Sequence, residues 1–205
     1  MALSFPLNNA PYGLLAIAAA LNAPDGTLNL LPVSPEVSTV TTLVSKGAVK
    51  PTKLSGQVAI ARFLVRTFAP VGKALYDESN LTLTTAQDNL LDIVRQTIFT
   101  PKHITTLGTT ANASSTSFLL SADNPLLADY VVWGTITAYT KSHSLLANLK
   151  DLGKFTAWIA RMDQRPECQK AISIVDKAVK ETNEALASEA VTAASEKAKL
   201  GSVVE

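Results

Sequence analysis

Leu54-Ser55-Gly56-Gln57-Val58-Ala59-Ile60-Ala61-Arg62-Phe63-Leu64 and, further along the chain, Asn124-Pro125-Leu126-Leu127-Ala128-Asp129-Tyr130-Val131-Val132-Trp133-Gly134-Thr135-Ile136 carry the reading of the fold. Each opens with turn or cap chemistry and runs into apolar residues at helical spacing. In the first, Ser55 is an acceptable N-cap, and Val58, Ala59, Ile60, Phe63 and Leu64 form an apolar stripe. The second is apolar nearly all round. A helix of that kind is buried on nearly all sides.

Working outward from the first segment, Ala2 to Leu7 reads as a short strand. Pro11 suits a first helical position, and the Ala/Leu run after it continues to Asn22. Pro24-Asp25-Gly26 is a turn. Leu28 to Val33 is strand-like. Val37 to Val44 is rich in β-branched residues and ends at the hairpin signal Lys46-Gly47, with Ala48 to Leu54 as the return strand. Pro51 inside that strand points to a sheet edge. Strand, helix, strand, strand, strand, helix over residues 1–70 implies a small sheet with a helix packed on it.

From there the pattern is helical, over residues 80–187. Thr85 is placed to cap a helix through Leu90, Leu91, Ile93 and Val94 to Phe99, with Pro101 as its stop. The Thr/Ser-rich stretch from His103 to Phe118 reads as the end of a helix followed by a loop. Asn124 and Pro125 open the buried helix, and Phe155, Trp158, Ile159 and Met162 mark the next, broken at Pro166. The pattern resumes at Ile172 and thins after Leu186, so residues 188–205 read as a frayed helix or tether.

The totals exclude several functions. In 205 residues, 47% are hydrophobic and the net charge is +1. That is core enough for one or two small domains, with no electrostatic case for nucleic acid or an anionic membrane. The run Tyr12 to Ala23 is apolar like a signal-peptide core. It has no positive charge before it and is too short to span a bilayer. The single cysteine, Cys168, excludes an internal disulfide, favours a reducing compartment and reads as a small buried hydrophobe. His103 and His143 stand alone, without metal-ligand spacing. No phosphate-binding glycine loop and no nucleophile triad is spelled by spacing, so no catalytic, cofactor or metal site is expected.

Asp129 sits at the start of the buried helix, where unpaired N–H donors and the positive end of the dipole meet. It is read as a structural acceptor there. Phe155, Trp158, Ile159 and Met162 form a core stripe. Lys154, Arg161, Asp163 and Arg165 form its charged face. Part of that face, with Trp158 beside it, is the candidate partner contact, because arginine with neighbouring aromatics is enriched at interface centres.

In this order, the two quoted segments resemble the signature helices of glutathione-transferase-like domains. The first closes the thioredoxin-like half, and the second is the central helix of the all-helical half. With Ala2-Leu3-Ser4-Phe5, the turn ending in Pro11 and the Ala-rich helix added, residues 2–180 are similar to the amino-terminal domain of eukaryotic cytosolic glutamyl-tRNA synthetases. Lys53-Leu54-Ser55-Gly56 resembles their Leu-Thr-Gly element, and Leu127 to Gly134 their Ala-Asp-x-x-x-Trp helix.

The resemblance implies a non-catalytic cytoplasmic domain without a cofactor. Its partner would be a similar domain of another synthetase or synthetase cofactor protein, or a second copy of itself. The contact would use the helix bearing Trp158 and the loop after it. Glutathione-using members carry an acidic residue followed by Ser in the turn of the first segment and a cis-proline before the third strand. Here Ser55-Gly56 and Thr41-Thr42-Leu43 stand in those places. Ser4 and Tyr12 are the hydroxyls left to activate a thiol. The capping partner of Asp129 in such folds is a Ser or Thr three positions earlier. Leu126 stands there, which leaves part of the job to Asn124. A working glutathione transferase, or the matching domain of elongation factor 1 gamma or of a scaffold protein, is the alternative. Neither HIGH nor KMSKS, the catalytic elements of a class I synthetase, occurs in the chain.

Overall fold

The computed structural model describes residues 1–6, 10–24, 28–33, 41–46, 51–95, 101–113, 116–121, 123–142 and 153–201. Four strands, β1 (Ala2–Pro6), β2 (Asn29–Val33), β3 (Thr42–Lys46) and β4 (Pro51–Ser55), make one mixed sheet in the order β2-β1-β3-β4. β1 runs parallel to β2 and antiparallel to β3, and β3 pairs antiparallel with β4. Pro32 and Pro51 both lie in edge strands, where a missing ladder N–H is tolerated. The register puts Leu3 opposite Leu30 and Leu43, and Leu43 opposite Leu54, on one face. Leu3, Phe5 and Leu43 on that face are fully buried, while Leu31 and Val44 on the other are exposed. Asp25, Gly26, Val37, Gly47, Phe99 and His143, singled out in the sequence, lie outside the described residues, as do residues 202–205.

Among the described residues there are eight helices, in the expected order apart from α3, which was not expected: α1 (Tyr12–Ala20), α2 (Gln57–Thr67), α3 (Val71–Leu75), α4 (Leu81–Val94), α5 (Pro101–Ala113), α6 (Leu127–Ser142), α7 (Gly153–Asp163) and α8 (Pro166–Gly201). Some boundaries differ from the expectation, each for a local reason. Ser55 ends β4 and does not cap α2. The cap position is Gly56, with φ of 87°, a left-handed conformation that suits glycine. Asn80, not Thr85, caps α4, its side-chain oxygen accepting from the Leu83 N–H at 3.1 Å. Pro101 opens a helix where it was expected only to end one, because a first-turn proline gives up no intrahelical bond. The Thr-rich run stays helical. Thr106, Thr109 and Thr110 donate to carbonyls four residues back, while Ile104, Leu107 and Ala111 point inward. α8 continues to Gly201, past the point where its apolar face fades. Asn183 to Ser188 are exposed there.

The two halves share one core. α1 crosses α6 with backbones almost touching. A Cβ on Gly134 would run into the Gly13 nitrogen, and one on Gly13 into the Tyr130 carbonyl. Glycine is required at both positions. The contact welds the sheet half to the central helix.

Candidate functional site

Asp129 lies at the centre of the helical half, fully buried. Its carboxylate accepts from the Leu126 N–H at 2.9 Å, from the Leu119 N–H at 2.9 Å and from the Trp158 ring N–H at 2.9 Å. Asp129 therefore forms the reciprocal half of a capping box at the first turn of α6. The half that Leu126 cannot supply comes from Gln87 of α4, whose side-chain oxygen accepts from the Ala128 N–H at 3.1 Å. Asn124, assigned part of that role from sequence, is exposed instead. Burial pushes the Asp129 carboxyl above its ordinary range, and the three N–H donors hold the charged form against that push.

Trp158 is 2% exposed and stacks on Phe155, ring centroids 5.3 Å apart. Its ring is closed off from solvent by the core, so it does not lie on the charged surface as the sequence reading placed it. The charged residues of that surface divide into two kinds. Asp163 accepts from the Trp133 ring N–H at 2.8 Å, and Arg165 donates to Glu167 at 2.7 Å, while Glu167 accepts from the Tyr130 hydroxyl at 2.6 Å. These contacts clamp the α7–α8 turn to α6. Burial and the Glu167 carboxylate raise the Tyr130 hydroxyl well above the phenol range. The Tyr130 and Arg165 donors outweigh burial at Glu167 and hold it below its ordinary value. Arg161 donates through Nε to the Ser117 carbonyl at 3.0 Å and remains exposed. Lys154, Ala157, Arg161 and Gln164 follow at three- and four-residue spacing and are all exposed, so they make one outward stripe, with a small residue between its two cations.

The positions where a thiol would be handled lie at β1, α1 and the start of β3. Ser4 is half-buried in β1, opposite Leu31 and Thr42. Tyr12 is 4% exposed and donates its hydroxyl proton to Asp176 at 2.9 Å. Lys141 closes the group, 2.6 Å from the same carboxylate and over the Tyr12 ring. Burial first, then Asp176 as acceptor and as a charge, push the Tyr12 hydroxyl up. A phenol in that state is a poor donor to a thiolate. Thr41 precedes β3, its hydroxyl oxygen buried and without a hydrogen-bond partner among the described residues, and its carbonyl accepts from the Gly56 N–H at 2.9 Å. Cys168 is fully buried, and burial raises its thiol out of the reactive range. Among the described residues no cluster of His, Cys, Asp or Glu could hold a metal ion, and no helix is long and apolar enough to cross a membrane.

The arrangement of a four-stranded mixed sheet joined to a helical bundle is shared with known structures. One is a chain from two binary sub-complexes of the yeast aminoacyl-tRNA synthetase complex, with a TM-score of 0.59, 16% identity, and coverage of 90% of this chain and 98% of that one. The fold is that of the glutathione transferases. Maleylacetoacetate isomerase from Anaeromyxobacter dehalogenans, crystallised with a glutathione derivative, aligns at a TM-score of 0.66 and 13% identity, over 83% of this chain and 89% of that one. A diazinon-metabolizing glutathione S-transferase from the silkworm Bombyx mori aligns at 0.61 and 15% identity, over 87% and 98%. No family model and no curated protein matches the sequence.

Gln87, Glu167 and Asp176 were missed by sequence reasoning. For Gln87 there was a signal. It shares the buried stripe of Leu90, Leu91 and Val94 at helical spacing, and a polar residue on such a stripe has a buried partner to satisfy. Glu167 and Asp176 gave no signal for their tyrosine partners, which are 37 and 164 residues away in sequence.

Proposed function

We propose that this glutathione-transferase-like chain is a non-catalytic interaction module, the appended domain of a cytosolic aminoacyl-tRNA synthetase. On the resemblance of its amino terminus and its Asp129–Trp133 helix, the glutamyl enzyme is the one named. Residues 1–70 and 80–187 are its two structural halves, and 188–205 are its tail or linker. Its partner is a like-folded domain of another synthetase or of a synthetase cofactor protein.

The observation that carries this reading is the state of Tyr12. Its hydroxyl proton is committed to Asp176, and the phenol is held neutral. Ser55-Gly56 and Thr41 meanwhile stand where glutathione-using relatives carry the acid followed by Ser and the proline. The outer stripe of α7 supports it further. Lys154 and Arg161 flank Ala157, and Arg161 is pre-oriented by the Ser117 carbonyl, which lowers the entropy lost on pairing with a partner carboxylate. Asp163 and Arg165 border the same surface. The similar chain from the yeast synthetase complex points the same way.

Affinity purification of the tagged chain from its own cells tests the reading. Synthetases are expected among the recovered proteins, with recovery lost when Lys154→Glu and Arg161→Glu are combined. Retention on immobilised glutathione, with turnover of a chlorodinitrobenzene-type substrate, would replace this reading by the enzymatic one. The enzymatic reading has in its favour the two enzymes among the similar structures.

A further inference from the structure

We infer that the second half of α8 is a stiff arm, a helical spacer that stands off the body and holds residue 201 at a set distance and direction from it. α8 runs unbroken over 36 residues, Pro166–Gly201, a length of about 54 Å at ~1.5 Å per residue. Pro166 opens it, Gly201 ends it, and no other proline or glycine stands between them.

The first half is anchored. Cys168, Ala171 and Val175 follow at three- and four-residue spacing and are fully buried. Two clamps fix its direction. Glu167 accepts from the Tyr130 hydroxyl of α6 at 2.6 Å. Asp176, further along, accepts from the Tyr12 hydroxyl of α1 at 2.9 Å and pairs with Lys141 of α6 at 2.6 Å. Val179 and Thr182 are half-buried, and there the helix leaves the body. Residues 183–188 are exposed without exception. At about 100° per residue they sample the whole circumference, so no face of that stretch rests on the body.

A helix without tertiary support ordinarily frays, because an isolated one must form its own nucleus. Here the anchored half is the nucleus. Each further residue adds one hydrogen bond without that cost. The sequence suits propagation, since Ala185, Leu186, Ala187, Ala190, Ala193 and Ala198 are among the strongest helix formers. Lys177 with Glu181 and Lys180 with Glu184, each at 3.8 Å, bridge the point of exit. The helical backbone from residue 183 to 201 spans roughly 28 Å. The inference does not depend on the assembly reading above, since every contact it uses lies within this chain.

Double electron–electron resonance on the whole chain tests it. Cys168→Ala removes the one native thiol, and nitroxide labels are placed at Ser173→Cys, an exposed position of the anchored half, and at Lys199→Cys. A continuous helix puts the two positions about 39 Å apart, and one narrow distance peak near that value is expected. Thr192→Pro in the same background should broaden the peak and shorten its mean. Should the labelled chain fail to fold, carbon chemical shifts of the unsubstituted chain take its place, with helical values expected through residues 183–200. A broad distribution centred below ~30 Å, coil-like shifts past residue 183, or an unchanged peak in Thr192→Pro overturns the inference. So does a narrow peak far short of ~39 Å, which would fold the arm back on the body.

Discussion

At Asp129 a single carboxylate gathers three N–H donors from the α6 start, the bend at Leu119 before it and the Trp158 ring. Removing a buried acceptor strands its donors, and the cost is the desolvation of each donor left behind rather than the net value of the bonds. Asp129→Ala is expected to lose about 3–5 kcal/mol in urea denaturation. A loss under about 1 kcal/mol would mean that the donors find other partners. Glu167 acts at the same scale with a pH signature. Its folded value lies below its ordinary 4.5, so the unfolded chain takes up the proton first as the pH falls. The stabilisation is complete above the ordinary value and drains away as the pH drops through the folded one. Glu167→Gln should therefore melt earlier than the parent at ~pH 7, by the equivalent of about 1 kcal/mol after screening at the half-buried Arg165, with the gap narrowing as the pH falls below the ordinary carboxylate value. A gap that persists at low pH would place the effect in packing rather than charge. Of these residues Asp129 was legible in the sequence as a helix-start acceptor. Its missing partner was not, because Gln87 arrives from another helix and the only trace was one polar residue on an apolar stripe.

At the scale of elements, the α1–α6 crossing decides how the halves meet. Two glycines let the backbones approach to where no Cβ fits, and neither backbone can give way without moving the helix that it belongs to. Gly134→Ala is expected to cost about 3 kcal/mol or more, read by chemical denaturation, while Ala157→Ser on the outer stripe stays within ~0.5 kcal/mol as the control. A Gly134→Ala chain as stable as the parent would show that α1 and α6 slide apart at low cost. The elements themselves were largely legible: apolar periodicity located β1, α1, α2, α6 and α7 because each buries one stripe or nearly its whole surface. The ends were not. Gly56 displaced Ser55 as a cap by its backbone conformation, Asn80 displaced Thr85 by reaching a nearer N–H, and the threonines of α5 satisfied their own hydroxyls within the helix. The short α3 lacks the length for a periodic signal and owes its place to the close seat of Gly72 on the Val65 carbonyl.

Across the whole molecule, cross-links among the described residues join the sheet half to the helical half: the Gly13–Gly134 crossing, Tyr12 to Asp176 with Lys141, and Arg62 to Asp88, which also accepts from the Tyr76 hydroxyl at 2.8 Å. Leu3, Phe5 and Leu43 of the sheet and Val131, Val132 and Trp133 of α6 are buried in one continuous cluster. Halves that share a core cannot open separately without exposing it, so they should unfold as one cooperative unit. Native-state hydrogen exchange reads this directly. The amides of Leu3 and Val132 are expected to exchange with the same opening free energy, and Gly134→Ala should lower both by the same amount, because the unit that opens contains both. Sheet amides that open at lower free energy than α6, and that ignore Gly134→Ala, would instead make the sheet half an independent unit hung on the bundle. That outcome would also change how a partner is held. A module docking through α7 would then carry a separately folding sheet, and binding at α7 would leave the exchange of Leu3 untouched, whereas in the cooperative molecule a partner on α7 slows exchange in β1 as well.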